Sequence, residues 1–360
     1  MTKLVSDFKE ILTQSVSTCW QSPSNIALIK YWGKKGFQLP ANPSLSFSLS
    51  EAYTITRIKA TYNAAGDGPE VSFFFEGERN PVFASKIEEF LSSLKKYLFY
   101  LPYVNLSIES GNNFPHSAGI ASSASSMSSL AMGLVCIEQQ LLADKLNSDD
   151  MLQKASYIAR LGSGSACRSV YGGYSIWGKS EDFNRSSDEY AVPVDFVPGE
   201  KFRSIRDSIL IVNQAPKKIS SRVGHQMMNG HPYAEARYIQ AVSNLKRIKQ
   251  GMIENDWNTF TEVVENEALS LHAMMMSSIP GFILMHPNTL NIVEHFNEIR
   301  KQNKIEMCFT LDAGPNLHIL YPEEETEKVK SALIELKKYC DEGKILDDMI
   351  GKGPENKHCR

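Results

Sequence analysis

No stretch of this 360-residue chain approaches the ~20 consecutive apolar residues of a membrane-spanning helix, so no membrane partner is expected. The opening MTKLVSDFKEILTQS lacks the apolar block of a secretory leader. Leu4, Phe8, Ile11 and Leu12 instead have the spacing of one face of a short leading helix. Cysteine is sparse. Cys19, Cys136, Cys167, Cys308, Cys340 and Cys359 form no C-x-x-C pair and stand beside no histidines at zinc-finger spacing. That argues against a cysteine-held structural metal and predicts free thiols in a cytoplasmic protein. A surplus of either charge is missing as well, with 38 Lys and Arg against 41 Asp and Glu. Nucleic acid is therefore not an expected partner, and any bound anion must be held by a local basic cluster.

What is present is a set of strand runs followed by helix runs, twice over. Residues 42–75 alternate in NPSLSFSLS, EAYTITRIKATY and VSFFFEG, with Gly66-Asp67-Gly68 as the turn of an expected hairpin. Ile87, Phe90, Leu91 and Leu94 predict a helix near 83–97, and YVNLSIE a strand at 103–109. From Ser122 an apolar stripe through Met127, Leu130, Ala131, Leu134, Ile137 and Leu141 predicts a long helix. A second should run from about Asp149 to Arg160, capped by Asn147 or Ser148 and stopped at Gly162. GGYSIW reads as a strand. The polar, irregular residues 179–206 mark the best boundary, dividing the chain into 1–195 and 196–360. Beyond it come the strand DSILIVN and helices near 232–252, 256–276 and 287–302. The hairpin MCFTLDAGPNLHILY and a helix at 323–340 close the chain. The pattern indicates α+β.

Between the strand at 103–109 and the helix from Ser122 lies GNNFPHSAGIASSASS. Its small side chains let backbone N–H groups approach phosphate oxygens, and the following helix adds the positive end of its dipole. The hydroxyls of Ser122, Ser123 and Ser125 can add hydrogen bonds or one magnesium ligand. This is neither the G-x-x-x-x-G-K-[ST] loop nor the G-x-G-x-x-G turn. The same composition suits a Ser/Ala-rich helix start packed closely on a sheet, and composition alone does not choose between the two.

Residues 115–124, PHSAGIASSA, resemble the P-x-x-x-G-L-x-S-S-A loop of the GHMP kinase superfamily, with Ile120 where leucine is usual. That resemblance implies ATP held by Pro115, Ser117, Ala118, Gly119, Ala121, Ser122 and Ser123. Ser122 or Ser123 would reach the Mg2+ ion that accompanies the nucleotide. Three further segments narrow the likeness. SNIALIKYWGK, residues 24–34, is similar to the N-I-A-x-x-K-Y-W-G-K run of mevalonate diphosphate decarboxylases. GSGSACRS, residues 162–169, resembles their G-S-G-S-A-C-R-S segment, and FTLDAGPN, residues 309–316, their T-x-D-A-G-P-N segment. The motifs keep the family's order across residues 24–316.

The resemblance implies a GHMP kinase fold in two lobes: an N-terminal ribosomal-protein-like α/β lobe and a C-terminal ferredoxin-like lobe carrying the catalytic aspartate. It implies a homodimer and ATP-dependent decarboxylation of mevalonate 5-diphosphate, by way of phosphorylation of the 3-hydroxyl. Asp312 would orient or deprotonate that hydroxyl, with Lys30 balancing charge. Asn25, Tyr31, Lys34, Ser163, Ser165, Arg168 and Arg222 are the implied substrate contacts. Such a set makes physical sense, because a desolvated diphosphate and carboxylate need several cations and neutral donors around them. Arg168 brings a planar fork suited to bidentate contact. Taken singly, each residue also has a plainer reading: a lysine after a strand is commonly solvated, and an aspartate before Ala-Gly-Pro commonly closes an Asx turn.

The likeness is looser at two histidines. His225 stands for the family's usual methionine and His116 for a threonine, and each reads either as a satisfied polar residue or as a sign of altered substrate preference. These departures leave open a phosphomevalonate decarboxylase or a mevalonate 3-kinase, and, from another class, a catalytically silent nucleotide-binding relative. Lys30 with Asp312 argues for decarboxylation, and Lys34, Arg168 and Arg222 for a diphosphate. His272 reads as structural and Met274 to Met276 as core fillers.

Overall fold

A computed structural model describes residues 10–12, 15–114, 120–142, 146–215 and 221–357, with backbone alone at 221 and 222. Most of the expected leading helix thus lies outside the described residues, although residues 10–12 are helical and Leu12 is buried.

The first part of the chain supplies β1 (Val16–Ala27), β2 (Lys34–Lys35), β3 (Leu39–Pro40), β4 (Ser44–Tyr62), β5 (Val71–Phe75), β6 (Glu78–Arg79), β7 (Val104–Asn112), β8 (Tyr174–Trp177) and β9 (Ala191–Pro193). The second adds β10 (Arg206–Leu210), β11 (Cys308–Leu311), β12 (Leu317–Tyr321), β13 (Ile345–Met349) and β14 (Glu355–Asn356). The larger sheet runs β14-β1-β4-β7-β5-β6, with β8 on β4 and β9 on β8. A four-stranded sheet runs β11-β12-β10-β13.

β4 organises the larger sheet. Ala52, Thr54, Thr56, Ile58 and Ala60 are buried while the residues between them face outward, the period of a half-buried strand. It is one strand of 19 residues where two were expected. β1 pairs along it from Val16 opposite Ala60 to Ala27 opposite Ser46, with a register shift between Pro23 and Asn25. At that irregularity the Asp348 carboxylate on β13 accepts the backbone N–H groups of Ser50, Glu51 and Ala52 at 2.7, 2.9 and 2.9 Å.

The expected β4–β5 hairpin does not form. β7 lies between them, antiparallel to β4 and parallel to β5. Gly66 and Gly68 still make the turn, at φ 70 and 134. Val104, Leu106 and Ile108 are all buried, so β7 takes the interior place and the short β5 is displaced outward.

The helices are α1 (Pro81–Leu94), α2 (Ser122–Leu141), α3 (Ser148–Gly162), α4 (Glu200–Arg203), α5 (Ser221–Gln226), α6 (Ala234–Ile253), α7 (Trp257–Met276), α8 (Pro287–Asn303) and α9 (Thr326–Leu333). Asn147 caps α3 by accepting the Asp150 N–H at 2.9 Å. The expected terminal helix over 323–340 is broken: α9 gives way to a 3-10 turn at Glu335–Tyr339. One core lies between the larger sheet and α1 to α3, built on residues such as Ile58, Leu106, Leu134 and Ile158. A second joins Phe47 and Ile176 of the larger sheet to Ile209, Leu245 and Phe260.

The free-thiol expectation needs one correction. Cys19 is disulfide-bonded, whereas Cys136, Cys167, Cys308 and Cys340 are free. The C-terminal segment lies along β1 there, with Lys357 N–H donating to the Cys19 carbonyl at 2.8 Å. Among the described residues no helix is long and apolar enough to cross a membrane.

Candidate active site

Past the end of β1 the chain runs through the fully buried Leu28 and Ile29 to Lys30, itself 1% exposed. A buried ammonium must be paired. Lys30 Nζ donates to Asp312 Oδ1 at 2.9 Å. Its main chain is also clamped: the Lys30 N–H donates to Glu267 Oε2 at 2.8 Å, and the Lys30 carbonyl accepts from Asn42 Nδ2 at 3.0 Å. Burial pulls the lysine's proton affinity below the ordinary range, while Asp312 and then Glu267 push it back up.

Glu267, on α7, is the hub of this clamp. It accepts from Arg237 Nη1 at 3.0 Å, from Arg237 Nη2, and from Asn244 Nδ2 at 2.8 Å. Arg237 and Asn244 lie on α6, which packs against α7, so two neighbouring helices fix a residue that follows β1.

Asp312 sits just past β11 and differs from Lys30 in access: its side chain is 26% exposed against 2% for the lysine. Its carbonyl lies 3.1 Å from His272 Nε2 and accepts the Gly314 N–H at 2.7 Å. The strand end and turn are thereby held while the carboxylate faces outward. His272 is buried and supports the Asp312 main chain, in keeping with the expected supporting role; of the three methionines Met275 is core, but Met276 is 50% exposed and is no core filler.

Arg168 lies in a 3-10 segment, Gly164–Val170, directly after α3. Its Nε and Nη2 donate to Asn25 Oδ1 at 3.3 and 3.2 Å, and Nη1 donates to Ser44 Oγ. Burial works against its charge, with Cys167, Asp312 and Tyr31 acting the other way. Asn25, read as a substrate contact, has its amide committed within the protein. Its Nδ2 donates to Ser169 Oγ at 2.7 Å and to the Ser165 carbonyl at 3.3 Å. It holds the segment that carries Arg168.

Tyr31 is buried and stacks edge-on against Trp177, with ring centroids 4.6 Å apart, yet its hydroxyl has no partner among the described residues. Gly164 permits this approach, since a Cβ there would stand 2.8 Å from the Trp177 ring and 3.0 Å from Tyr31 Oη. Gly33, at φ +95, turns the chain so that its N–H donates to His225 Nδ1 at 3.0 Å. Lys34 Nζ follows, donating to Gln38 Oε1 at 2.5 Å.

At the other end, α2 starts from Ala121 in the left-handed region at φ 47, with no side-chain cap on its first turn among the described residues. Ser123 Oγ lies 3.4 Å from Ser163 Oγ, so the starts of α2 and of the Arg168 segment adjoin. Ser125 is corrected. It is fully buried and bonded to Thr54 Oγ1 at 2.6 Å, and Ser129 meets Thr56 in the same way at 2.6 Å. Those hydroxyls fasten α2 to β4 and are not offered to a phosphate. Pro115, His116, Ser117, Ala118 and Gly119 lie outside the described residues, as does the side chain of Arg222. Residues 173–180, GYSIWGKS, match G-x-x-x-x-G-K-[ST] letter by letter, but β8 occupies their centre and no helix follows.

Sequence reasoning missed Glu267, Arg237, Asn244, Asn42 and Ser44. A signal existed for Glu267: it continues the apolar stripe of Phe260, Val263, Val264, Ala268 and Leu271, where a charge is out of place. Among the described residues no group of three or more His, Cys, Asp and Glu could hold a metal ion. The donors at hand suit a magnesium ion that arrives with a nucleotide and is touched by a serine hydroxyl.

Two family models account for most of the chain. One, the diphosphomevalonate decarboxylase-like N-terminal domain, matches residues 22–191. The other, the mevalonate 5-diphosphate decarboxylase C-terminal domain, matches residues 208–357. A diphosphomevalonate decarboxylase of Candida albicans is 30% identical over 325 residues, covering 87% of this chain and 86% of the relative. The crystal structure of mevalonate diphosphate decarboxylase from Staphylococcus aureus superposes with a TM-score of 0.81 at 29% identity, covering 97% of this chain and 100% of that one. A solved complex of MDDEF with MVAPP, AMPPCP and magnesium gives a TM-score of 0.79 at 27% identity, covering 95% and 99%. The mixed α+β fold built from the residues up is the fold of these enzymes, and the chain belongs to the diphosphomevalonate decarboxylase family.

Proposed function

We propose that the chain converts mevalonate 5-diphosphate and ATP into isopentenyl diphosphate, CO2, ADP and phosphate, with Asp312 and Lys30 as its catalytic pair. The observation that carries this reading is the pair itself: an outward-facing carboxylate 2.9 Å from an ammonium buried beneath it. Lys30 keeps the Asp312 carboxylate ionised and aimed. The substrate's 3-hydroxyl donates its proton to that carboxylate as its oxygen attacks the γ-phosphorus and ADP leaves. The C3–O bond then breaks and phosphate departs. The electrons of the bond to the carboxylate form the alkene, and CO2 is released.

Arg168, held by Asn25 and Ser44, offers its charge to the substrate's carboxylate or phosphates. Tyr31, Lys34, Ser163, Ser165 and Arg222 complete the substrate contacts in this reading, and Asn25 acts through Arg168. Pro115, Ser117, Ala118, Gly119, Ala121, Ser122 and Ser123 cradle ATP at the uncapped start of α2. Mg2+, bound with ATP, would neutralise charge on its phosphates, and Ser122 or Ser123 would touch it in this reading. The same reading divides the GHMP kinase fold at about residue 195 into a ribosomal-protein-like and a ferredoxin-like lobe. Support comes from two sheets with their own helices and from the two family models, which meet between residues 191 and 208. A homodimer in the cytoplasm belongs to this reading on the family's authority.

The test is incubation of the purified protein with Mg-ATP and, separately, mevalonate, its 5-phosphate and its 5-diphosphate, with ADP, phosphate and CO2 all measured. Stoichiometric CO2 from the diphosphate is expected. ADP without CO2 would sink the decarboxylase reading, and faster turnover of the monophosphate would reassign the substrate.

A further inference from the structure

The His225 ring is built into the wall beside the candidate substrate groups Tyr31 and Lys34. It lies on α5 with 7% of its surface exposed. Its ring centroid is 4.2 Å from that of Tyr31 and 4.6 Å from that of Trp32. Gly224, just before it, leaves room for this stack, since a Cβ there would stand 2.5 Å from the Trp32 ring.

The Gly33 N–H donates to His225 Nδ1 at 3.0 Å, so Nδ1 carries no proton and a neutral ring holds its hydrogen on Nε2. Nε2 has no acceptor among the described residues. Tyr31 Oη, on the ring stacked against it, is a buried hydroxyl without a partner among the described residues. A buried hydroxyl left unmet in a folded protein is costly unless something else receives its hydrogen, and the imidazole N–H stands next to it. The charges around them are cationic: Lys34 on β2 and Arg168 on the 3-10 segment both disfavour a proton on this ring. Burial acts more strongly in the same direction and holds the imidazole's pKa down at about 3. At neutral pH the ring is therefore uncharged.

We propose that His225 is a substrate-binding residue, its Nε2–H and the Tyr31 O–H together donating to an oxygen of the substrate's phosphate group between Lys34 and Arg168. This deepens the functional reading above and rests on it. Neutral donors suit the place. They bind an anion without adding to the mutual repulsion of the two cations, and their hold does not vary with pH.

The experiment measures binding of mevalonate 5-diphosphate by calorimetry in the presence of Mg2+ and a non-hydrolysable ATP analogue, together with KM and kcat. It uses wild type, His225→Met and His225→Gln. Methionine fills the space without a donor, and glutamine restores an N–H. The Met variant should weaken binding and raise KM by roughly tenfold or more, with kcat within about twofold, and Gln should recover most of the loss. The wild-type to Met ratio should be constant between about pH 6 and pH 8. Equal affinities in wild type and a folded Met variant would overturn the assignment. So would a ratio that grows toward acid, the mark of a charged imidazole. A Gln variant no better than Met would reduce His225 to a packing role. If wild type itself ignores the diphosphate, the functional reading fails first, and that outcome is distinct from these.

Discussion

Lys30 Nζ and Asp312 Oδ1 meet at 2.9 Å although 282 residues separate them in the chain, and only the aspartate reaches solvent. An ammonium so placed cannot exchange its partner for water, which sets the carboxylate's charge and direction before any ligand arrives. Asp312→Ala should therefore lower kcat by about a hundredfold or more, leaving affinity for a non-hydrolysable ATP analogue within about twofold. Stopped-time assays of ADP and CO2, with calorimetry for the nucleotide, measure both. Turnover near wild type in this variant would remove Asp312 from the chemistry.

Lys30 also predicts opposite pH trends for activity and stability. Its folded pKa lies below the ordinary 10.5, burial being the main cause. Between the folded value and 10.5 the unfolded chain binds a proton that the folded chain does not, so stability should rise with pH across that window. Activity should fall over the same window as Asp312 loses its counter-charge. Lys30→Met should flatten the stability slope in urea titrations run at stepped pH. Parallel falls in stability and rate would contradict the assignment.

Gly164→Ala tests the seat of Tyr31. The added methyl would sit 2.8 Å from Trp177 and 3.0 Å from Tyr31 Oη, so the tyrosine must shift while Asp312 and Lys30 keep their places. KM for the phosphorylated substrate should rise several-fold with kcat little changed, a split that initial-rate kinetics resolves. A variant losing kcat alone would place Tyr31 elsewhere in the mechanism.

Glu267 and Arg237 form a fully buried pair, so removing one partner strands the other. Glu267→Ala should cost about 3–5 kcal/mol in urea unfolding, and the double variant Glu267→Met, Arg237→Met should recover a large share of it. Recovered stability need not recover activity, because the Lys30 N–H would still lack its acceptor. A double variant with full stability and full kcat would show that the clamp does not position Lys30.

The motif residues were legible because each is carried by a short linear run: Lys30 and Tyr31 in one, Arg168 in a second, Asp312 in a third. The partners that hold them were not. Glu267 comes to Lys30 from a helix 237 residues away, and Ser44 reaches Arg168 across 124. Local pattern carries no trace of such meetings beyond a lone charge in an apolar stripe. Asn25 shows the converse limit: its motif marked it as important, but only the fold shows that its amide is committed to Arg168 and Ser169. Helix positions followed from periodicity. The β4–β5 hairpin failed because a turn fixes where the chain bends and not which strand enters beside it.

The register of β1 on β4 has a consequence for how this chain can change length. Asn25 to Ala27 pair with Ser48 to Ser46, and Lys30 follows three residues later. Loss of a single residue from β4 between Ser44 and Ser48 would exchange the two faces of a stretch that is buried on both, and would draw the approach to Lys30 along by ~3.3 Å, farther than its contact with Asp312. The Asp348 carboxylate, seated on Ser50 to Ala52, would lose its amides in the same step. Insertions and deletions belong in the turn after Tyr62. Along β4 the number of residues is constrained as tightly as their kind.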